Sequence, residues 1–341
     1  MINIKDKLKR SNILIKRTND VNVEYVPLSE FESDIKALNE RINELSGIDV
    51  NVDNYVTKTE FNSEIDIIRN QIEALPEKKV NANGINFSNS TFEELSDAFY
   101  FGDATNFKGI FKNCPNLKRV NADLTGSMAT SNDKSEMFYA CGALEEAPDF
   151  NALRVTNMAK MFYNCYALQT APSYNILECE TMSYMFYSCS NLTSVGNMDE
   201  NPDNWLRDVS RMFMFCDKLT IAPRIKTTHV TNFDEMFAYC ARLETAPEYD
   251  ASSATSANDM FGNALVNFGG LKNLKIDFTG IRNCMYLSYE SIINVLNGLY
   301  DFRSNGDSTT TRTLQLNYHS MAQLSDADKA IATNKGWILT T

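Results

Sequence analysis

Histidine is nearly missing from this chain. Only His229 and His319 occur in 341 residues, and none of the eight cysteines forms a Cys-x-x-Cys pair. A zinc site built on the usual ligand spacings is therefore not expected. Positive charge is also short: 32 Lys and Arg stand against 44 Asp and Glu, for a formal charge of −12. A surface that neutralises phosphates needs the opposite balance, so a nucleic-acid partner is not expected. No run of 18 apolar residues exists, which argues against membrane insertion. Phosphate loops, Rossmann glycine patterns, nucleophile elbows and two-histidine metal helices are missing as well. With so many acidic residues, pairs such as Glu145-Glu146 follow from composition, and a glycosidase would need two carboxylates facing each other across a cleft. Neither enzymatic activity nor a cofactor is expected. The first ten residues, Met1 to Arg10, lack the apolar core and small-residue cleavage site of a secretion signal, so a protein made in the cytoplasm and not exported by a leader is expected.

What is present is a repeat. Met137-Phe138-Tyr139-Ala140-Cys141 recurs as Met161 to Cys165, Met185 to Cys189, Met212 to Cys216 and Met236 to Cys240. Ile110-Phe111-Lys112-Asn113-Cys114 precedes these copies, and a worn one, Met260-Phe261-Gly262-Asn263-Ala264, follows. Copies are 24 residues apart, except for two steps of 27. A fixed step of this size predicts a solenoid, in which each unit buries its apolar edge only against its neighbours.

Each unit has a regular order. Leu follows Cys by three residues (Leu117, Leu144, Leu168, Leu192, Leu219, Leu243), and Ala-Pro lies a further three on in four copies, as in Ala147-Pro148. Proline there suits a short strand at a position where no ladder donor is needed. Apolar residues then recur at spacings of three before the next Met-Phe (Val155, Met158, Met161), which predicts a short helix or 3₁₀ turn. Six cysteines share one column of the repeat and are expected to be free and buried, acting as small hydrophobes. Two further columns carry aromatics. One holds Tyr139, Tyr163 and Tyr187; the other holds Phe150, Tyr174, Met198, Ile225 and Tyr249. Aromatics with a polar tip suit recognition, so Tyr139, Tyr163, Tyr187, Tyr174 and Tyr249 are weak candidates for ligand binding. At least one of the two columns is expected to be core.

The units resemble BspA-like leucine-rich repeats, whose pattern is Met-Phe-x-x-Cys/Ala-x-x-Leu, a short strand and a Thr-Asn-Met-like return. Val155-Thr156-Asn157-Met158 and Val230-Thr231-Asn232-Phe233 carry that return. The resemblance implies an α+β, right-handed leucine-rich-repeat solenoid with capping modules, used for adhesion and ligand binding, with no fixed catalytic residues.

The flanks divide the chain further. Residues 1–27 form a basic arm with Lys5, Lys7, Lys9, Arg10, Lys16 and Arg17, either a solvated tail or an arm docking on a larger acidic assembly. Residues 28–80 carry two heptad stretches, Leu28, Phe31, Ile35, Leu38, Ile42, Leu45 and then Phe61, Ile65, Ile68, Ile72, Leu75. These predict short coiled-coil helices, each opened by a capping box, Ser29-x-x-Glu32 and Thr57-x-x-Glu60. Tyr55 to Phe61 is similar to helix starts of trimeric phage fibres, which favours a homotrimer; a dimer and an intramolecular hairpin stay open. Residues 81–109 are expected to cap the solenoid N-terminally, with a helix along Phe92, Leu95 and Phe99. The repeats span 110–285. In residues 286–341, a helix from Ser288, a strand over 311–317, a helix from Ser325 and a final strand at Trp337 are expected to cap the other end. Glu290 to Asn294 and Asp328 to Trp337 resemble the terminal module of such repeats in gut bacteria and in phages infecting Bacteroides.

The basic arm, heptads and solenoid together suggest a bacteriophage fibre, and the resemblance implies a head or tail fibre of a Bacteroides-infecting, crAss-like phage. It would sit on the virion surface, dock to capsid or tail proteins through its N-terminus, and present the solenoid to a host cell-surface glycan or protein. The alternatives are a BspA-type cell-surface adhesin and a purely structural virion decoration.

Overall fold

The computed structural model describes residues 80–81, 86–95, 99–100, 107–121, 124, 132–150, 152–199, 204–262 and 264–341. The basic arm and both heptad stretches, with the oligomer contacts expected of them, lie outside the described residues.

A column of eight phenylalanines sets the architecture. Phe87, Phe111, Phe138, Phe162, Phe186, Phe213, Phe237 and Phe261 stack with ring centroids 5.1–5.5 Å apart and planes within 19° of parallel. All eight are buried. Each comes from a separate coil, so the chain winds as a β-solenoid whose step is close to the spacing of neighbouring strands. Columns of methionine (Met137 to Met260) and leucine (Leu117 to Leu243) run beside it, equally buried. Such rows work as in a sheet, because each side chain packs on its counterpart above and below.

The Met-Phe segments are not the helical turns their spacing predicts. From Lys134 to Ala140, alternate backbone N–H groups (Lys134, Glu136, Phe138, Ala140) donate to the next coil, at the carbonyls of Asn157, Ala159, Met161 and Tyr163, over 2.7–3.0 Å. The N–H groups between them (Met137, Tyr139, Cys141) fold back to the carbonyls of Lys134, Glu136 and Phe138. A helix would keep all these bonds within one coil. Alternation between inward and onward bonds demands a left-handed residue at every fourth position. Glu136 and Ala140 both have φ of 58°, and the pattern repeats at Lys160 and Asn164, Tyr184 and Ser188, Arg211 and Phe215, Glu235 and Tyr239. Left-handed non-glycine residues cost about 1–3 kcal/mol each; the ladder between coils holds them in place.

The return segment explains the Thr-Asn-Met pattern. The Asn157 side chain accepts from the Ala159 N–H at 2.9 Å, and Asp133, Asp208 and Asn232 do the same in their coils. These are Asx turns, which favour Asn and Asp. The Thr156 hydroxyl donates to the Asn132 carbonyl, and Thr231 and Thr255 repeat that bond one coil apart. Short parallel strands lie on another side, for example Thr170–Ala171 on Ser194–Val195 and Thr245–Ala246 on Asn267–Phe268. Where two copies carry Gly in place of Pro, at Gly196 and Gly269, the freed N–H donates back to Ala171 and Ala246. A Cβ at Gly196 would fall 2.2 Å from the Ser173 backbone nitrogen.

Two further coils lie at the ends of the recognised repeat. Phe87 heads one, with Ser90 where later copies have Cys. The helix expected along Phe92, Leu95 and Phe99 is absent: Glu94–Leu95 is a strand paired with Arg119–Val120, and Phe99–Tyr100 pairs with Val80–Asn81. At the other end Phe261 donates to Gly280, so Ile281 succeeds it. Cys284 and Leu287, three and six residues on, complete a coil shortened to a 20-residue step.

The C-terminal segment forms as its sequence predicts. Helix α1, Tyr289–Gly298, is capped by Ser288. Strand Arg312–Gln315 pairs in parallel with Trp337–Thr340. Helix α3, Asp326–Thr333, starts in a capping box of Ser325 and Asp328. A short helix α2, Tyr318–Ala322, lies between them and has no strong sequence signal. Bridges at Leu274 with Leu299 and Phe278 with Leu314 continue the inter-coil ladder into this segment. The Asn305-Gly306-Asp307 loop is a turn whose Asp307 carboxylate accepts from the Thr309 and Thr310 N–H groups.

Candidate functional site

Each of the six cysteines in the repeat column donates its thiol to the carbonyl of the phenylalanine one coil back, at 2.9–3.1 Å. That carbonyl, for example Phe138, already accepts the Cys141 N–H of its own turn. The thiol takes the second lone pair, which accounts for a small side chain with a weak donor at this place. All eight cysteines are free and buried. Burial pushes the Cys179, Cys240 and Cys284 thiols up to about 12, so they stay protonated and inert as nucleophiles. Among the described residues no group of three or more His, Cys, Asp or Glu could hold a metal ion. No helix among them is long and apolar enough to cross a membrane.

The two aromatic columns separate cleanly. Phe150, Tyr174, Met198, Ile225 and Tyr249 are all buried. The Tyr174 and Tyr249 hydroxyls donate to the carbonyls of Pro148 and Pro223 at 3.2 and 3.0 Å, as buried phenols must. These two tyrosines belong to the core and offer nothing to a ligand.

The other column is half-exposed and forms a row. The Tyr139, Tyr163 and Tyr187 rings are stacked at 4.9 and 4.6 Å, with planes within 3°. In the next coils Met214 and Ala238 occupy this column and are buried. The aromatic surface moves over by one residue, to Phe215 and Tyr239. Phe215 meets Tyr187 edge-on at 5.4 Å and stacks on Tyr239 at 4.8 Å. Tyr239 is 62% exposed, the most open ring of the row. Five successive coils thus contribute one aromatic each to a continuous strip along the solenoid. Sequence spacing missed Phe215 and Tyr239 because they stand one place off the column.

Polar and charged groups edge the strip. Tyr184 lies against Tyr187 and Tyr163, and its hydroxyl accepts from Arg211 at 2.6 Å. Arg211 also grips Glu235 through two nitrogens. Lys112 pairs with Glu136 at 2.6 Å and sits 4.7 Å from the Tyr139 ring centre. Lys160 stands 5.7 Å from the Tyr184 centroid. Partial burial and the neighbouring phenols of Tyr187 and Tyr139 raise the Tyr163 phenol above its ordinary value. The Tyr163 hydroxyl therefore stays protonated at any physiological pH. Such an arrangement can bind and orient a ligand.

The family described as "Mycoplasma protein of unknown function, DUF285" matches residues 82–205 and 207–277, more than half of the chain. No curated protein matches it. The match spans the described coils from Phe87 to Phe261, and the match and the β-solenoid agree with a BspA-like repeat protein. The chain belongs to that DUF285 repeat family.

Proposed function

We propose that this protein is an attachment protein that binds a cell surface through the aromatic strip of its solenoid. One observation carries the proposal. Five successive coils place Tyr139, Tyr163, Tyr187, Phe215 and Tyr239 in an outer row, although core packing is already complete in the phenylalanine, methionine, leucine and cysteine columns. Tyrosine and arginine at an exposed face are the residue types that dominate recognition surfaces.

The finer proposal is a fibre of a Bacteroides-infecting, crAss-like bacteriophage. Its basic arm would dock on the virion, its heptads would assemble a homotrimer, and three solenoids would add weak contacts by avidity. The heptad stretches, the basic residues from Lys5 to Arg17 and the resemblance of the C-terminal segment support it. A second possibility, a cell-surface adhesin, draws support from the cellular origin in the description of the matching family. Immunogold microscopy on purified particles and on bacterial cells distinguishes them. Label on particles supports the fibre; label confined to the cell envelope removes it. Adsorption that proceeds normally in the presence of excess recombinant protein would remove the receptor role and leave a structural decoration.

A further inference from the structure

We infer that the strip from Tyr139 to Tyr239 is a binding site for a linear polysaccharide lying along the solenoid axis; this deepens the attachment proposal and rests on it. The stacked tyrosines have little ring face to offer, since at 4.6–4.9 Å the faces of Tyr139, Tyr163 and Tyr187 cover one another. What remains for a ligand is a row of ring edges, with a phenol hydroxyl able to donate and accept from each of the three coils of Tyr139, Tyr163 and Tyr187, and again from Tyr239 beyond the apolar Phe215. A ligand matched to that row repeats a polar group at each step of roughly one inter-strand spacing. Extended peptides advance by only about 3.3 Å per residue, whereas a sugar ring in an extended chain is close to the coil step in length.

The neighbouring side chains fit the same ligand. Asn164 and Ser188 occupy the left-handed positions beside Tyr163 and Tyr187, and neither side chain forms a hydrogen bond among the described residues. Lys160, also without an ion pair among them, extends the polar edge. A protein partner would be better served by a desolvated apolar centre, and here the apolar Met214 and Ala238 are covered. The rings are fixed by stacking and by the ladder beneath, so little side-chain freedom is lost on binding.

The test uses the full chain, fluorescently labelled, on Bacteroides cells and in gels containing purified linear polysaccharides. Cells are left untreated, oxidised with periodate to destroy sugar diols, or stripped with protease. The inference expects binding to untreated and protease-treated cells, a loss of at least tenfold after periodate, and retardation in at least one polysaccharide gel. Tyr163→Ser combined with Tyr187→Ser should reduce both signals at least tenfold. Tyr318→Ser, at an exposed residue of the C-terminal segment, should leave them unchanged. Circular dichroism of each variant guards against misfolding, and Asn164→Ala with Ser188→Ala gives a milder pair that leaves the stack intact. Binding abolished by protease and indifferent to periodate overturns the polysaccharide and keeps attachment, now to a protein. No binding to cells or gels overturns both.

Discussion

Lys134 provides the sharpest test of the packing. Its N–H donates to Asn157 as Met158 donates to Thr181 and Met182 to Asp208, so it stands in an apolar column with Met158, Met182, Val209 and Phe233. It is 0% exposed, and its ammonium lies 5.3 and 5.7 Å from the ring centres of Phe107 and Phe150. Burial lowers it to about 8, with Asp133 opposing. Against an ordinary lysine value of about 10.4, that gap corresponds to ~3 kcal/mol as an upper figure. The sign follows from proton counting. Between pH 8 and the unfolded value, the unfolded chain holds the proton and the folded chain does not, so stability rises with pH across that window. Below pH 8 both are protonated and the full cost of the buried charge persists. Lys134→Met should therefore raise stability at pH 7 by about 1–3 kcal/mol, and the advantage should shrink as the pH rises from 8 towards 10. Urea unfolding of both proteins across pH 6–10 measures it. A variant no more stable than the parent at pH 7, or a gain that does not change with pH, would refute the reasoning.

Other consequences are simpler to state. Phe186→Ala opens a gap in the stacked column and should cost about 3–5 kcal/mol in urea unfolding. Ala140→Val places a β-branched residue at φ 58° and should lose about 1–3 kcal/mol. Ala140→Asn, the residue found at Asn113 and Asn164, should be neutral or stabilising in the same experiment. Gly196→Ala drives a Cβ into the Ser173 backbone and should lower the melting temperature well beyond an ordinary surface substitution. Ser325→Ala removes the capping box of α3 and should cost about 0.5–2 kcal/mol.

Periodicity made most of the solenoid legible. The step from Met137 to Met161 and onward, the cysteine column and the Ala-Pro strands all follow from one unit read several times. The C-terminal elements were legible because their signals are local: Ser288 and Ser325 cap the helices they precede. The turns were not. Apolar spacing of three and four is shared by a helix and by successive left-handed turns, and only the sign of φ separates them. Asn89, Asn113 and Asn164 at the place before the cysteine column were the available hint, diluted by Ala140, Ser188, Phe215 and Tyr239 in the same position. The Phe87 coil was missed because Ser90 stands where later copies have cysteine. The Ile281 coil was missed because its step shortens and Met-Phe becomes Gly-Ile. In the site, Tyr139, Tyr163 and Tyr187 were found by their column. Tyr174 and Tyr249 could have been excluded from the company they keep: Phe150, Met198 and Ile225 share their place and have no polar tip.

Thiol titration tests the stacked coils most directly, because the seven-cysteine column from Cys114 to Cys284, and Cys179 outside it, are sealed only if every coil is in register. Without reductant, the native chain should leave all eight thiols unreactive to Ellman's reagent over hours at pH 8, and all eight should react once it is unfolded in guanidinium. Several thiols reacting at once in the native protein, or fewer than eight appearing after unfolding, would contradict the sealed column.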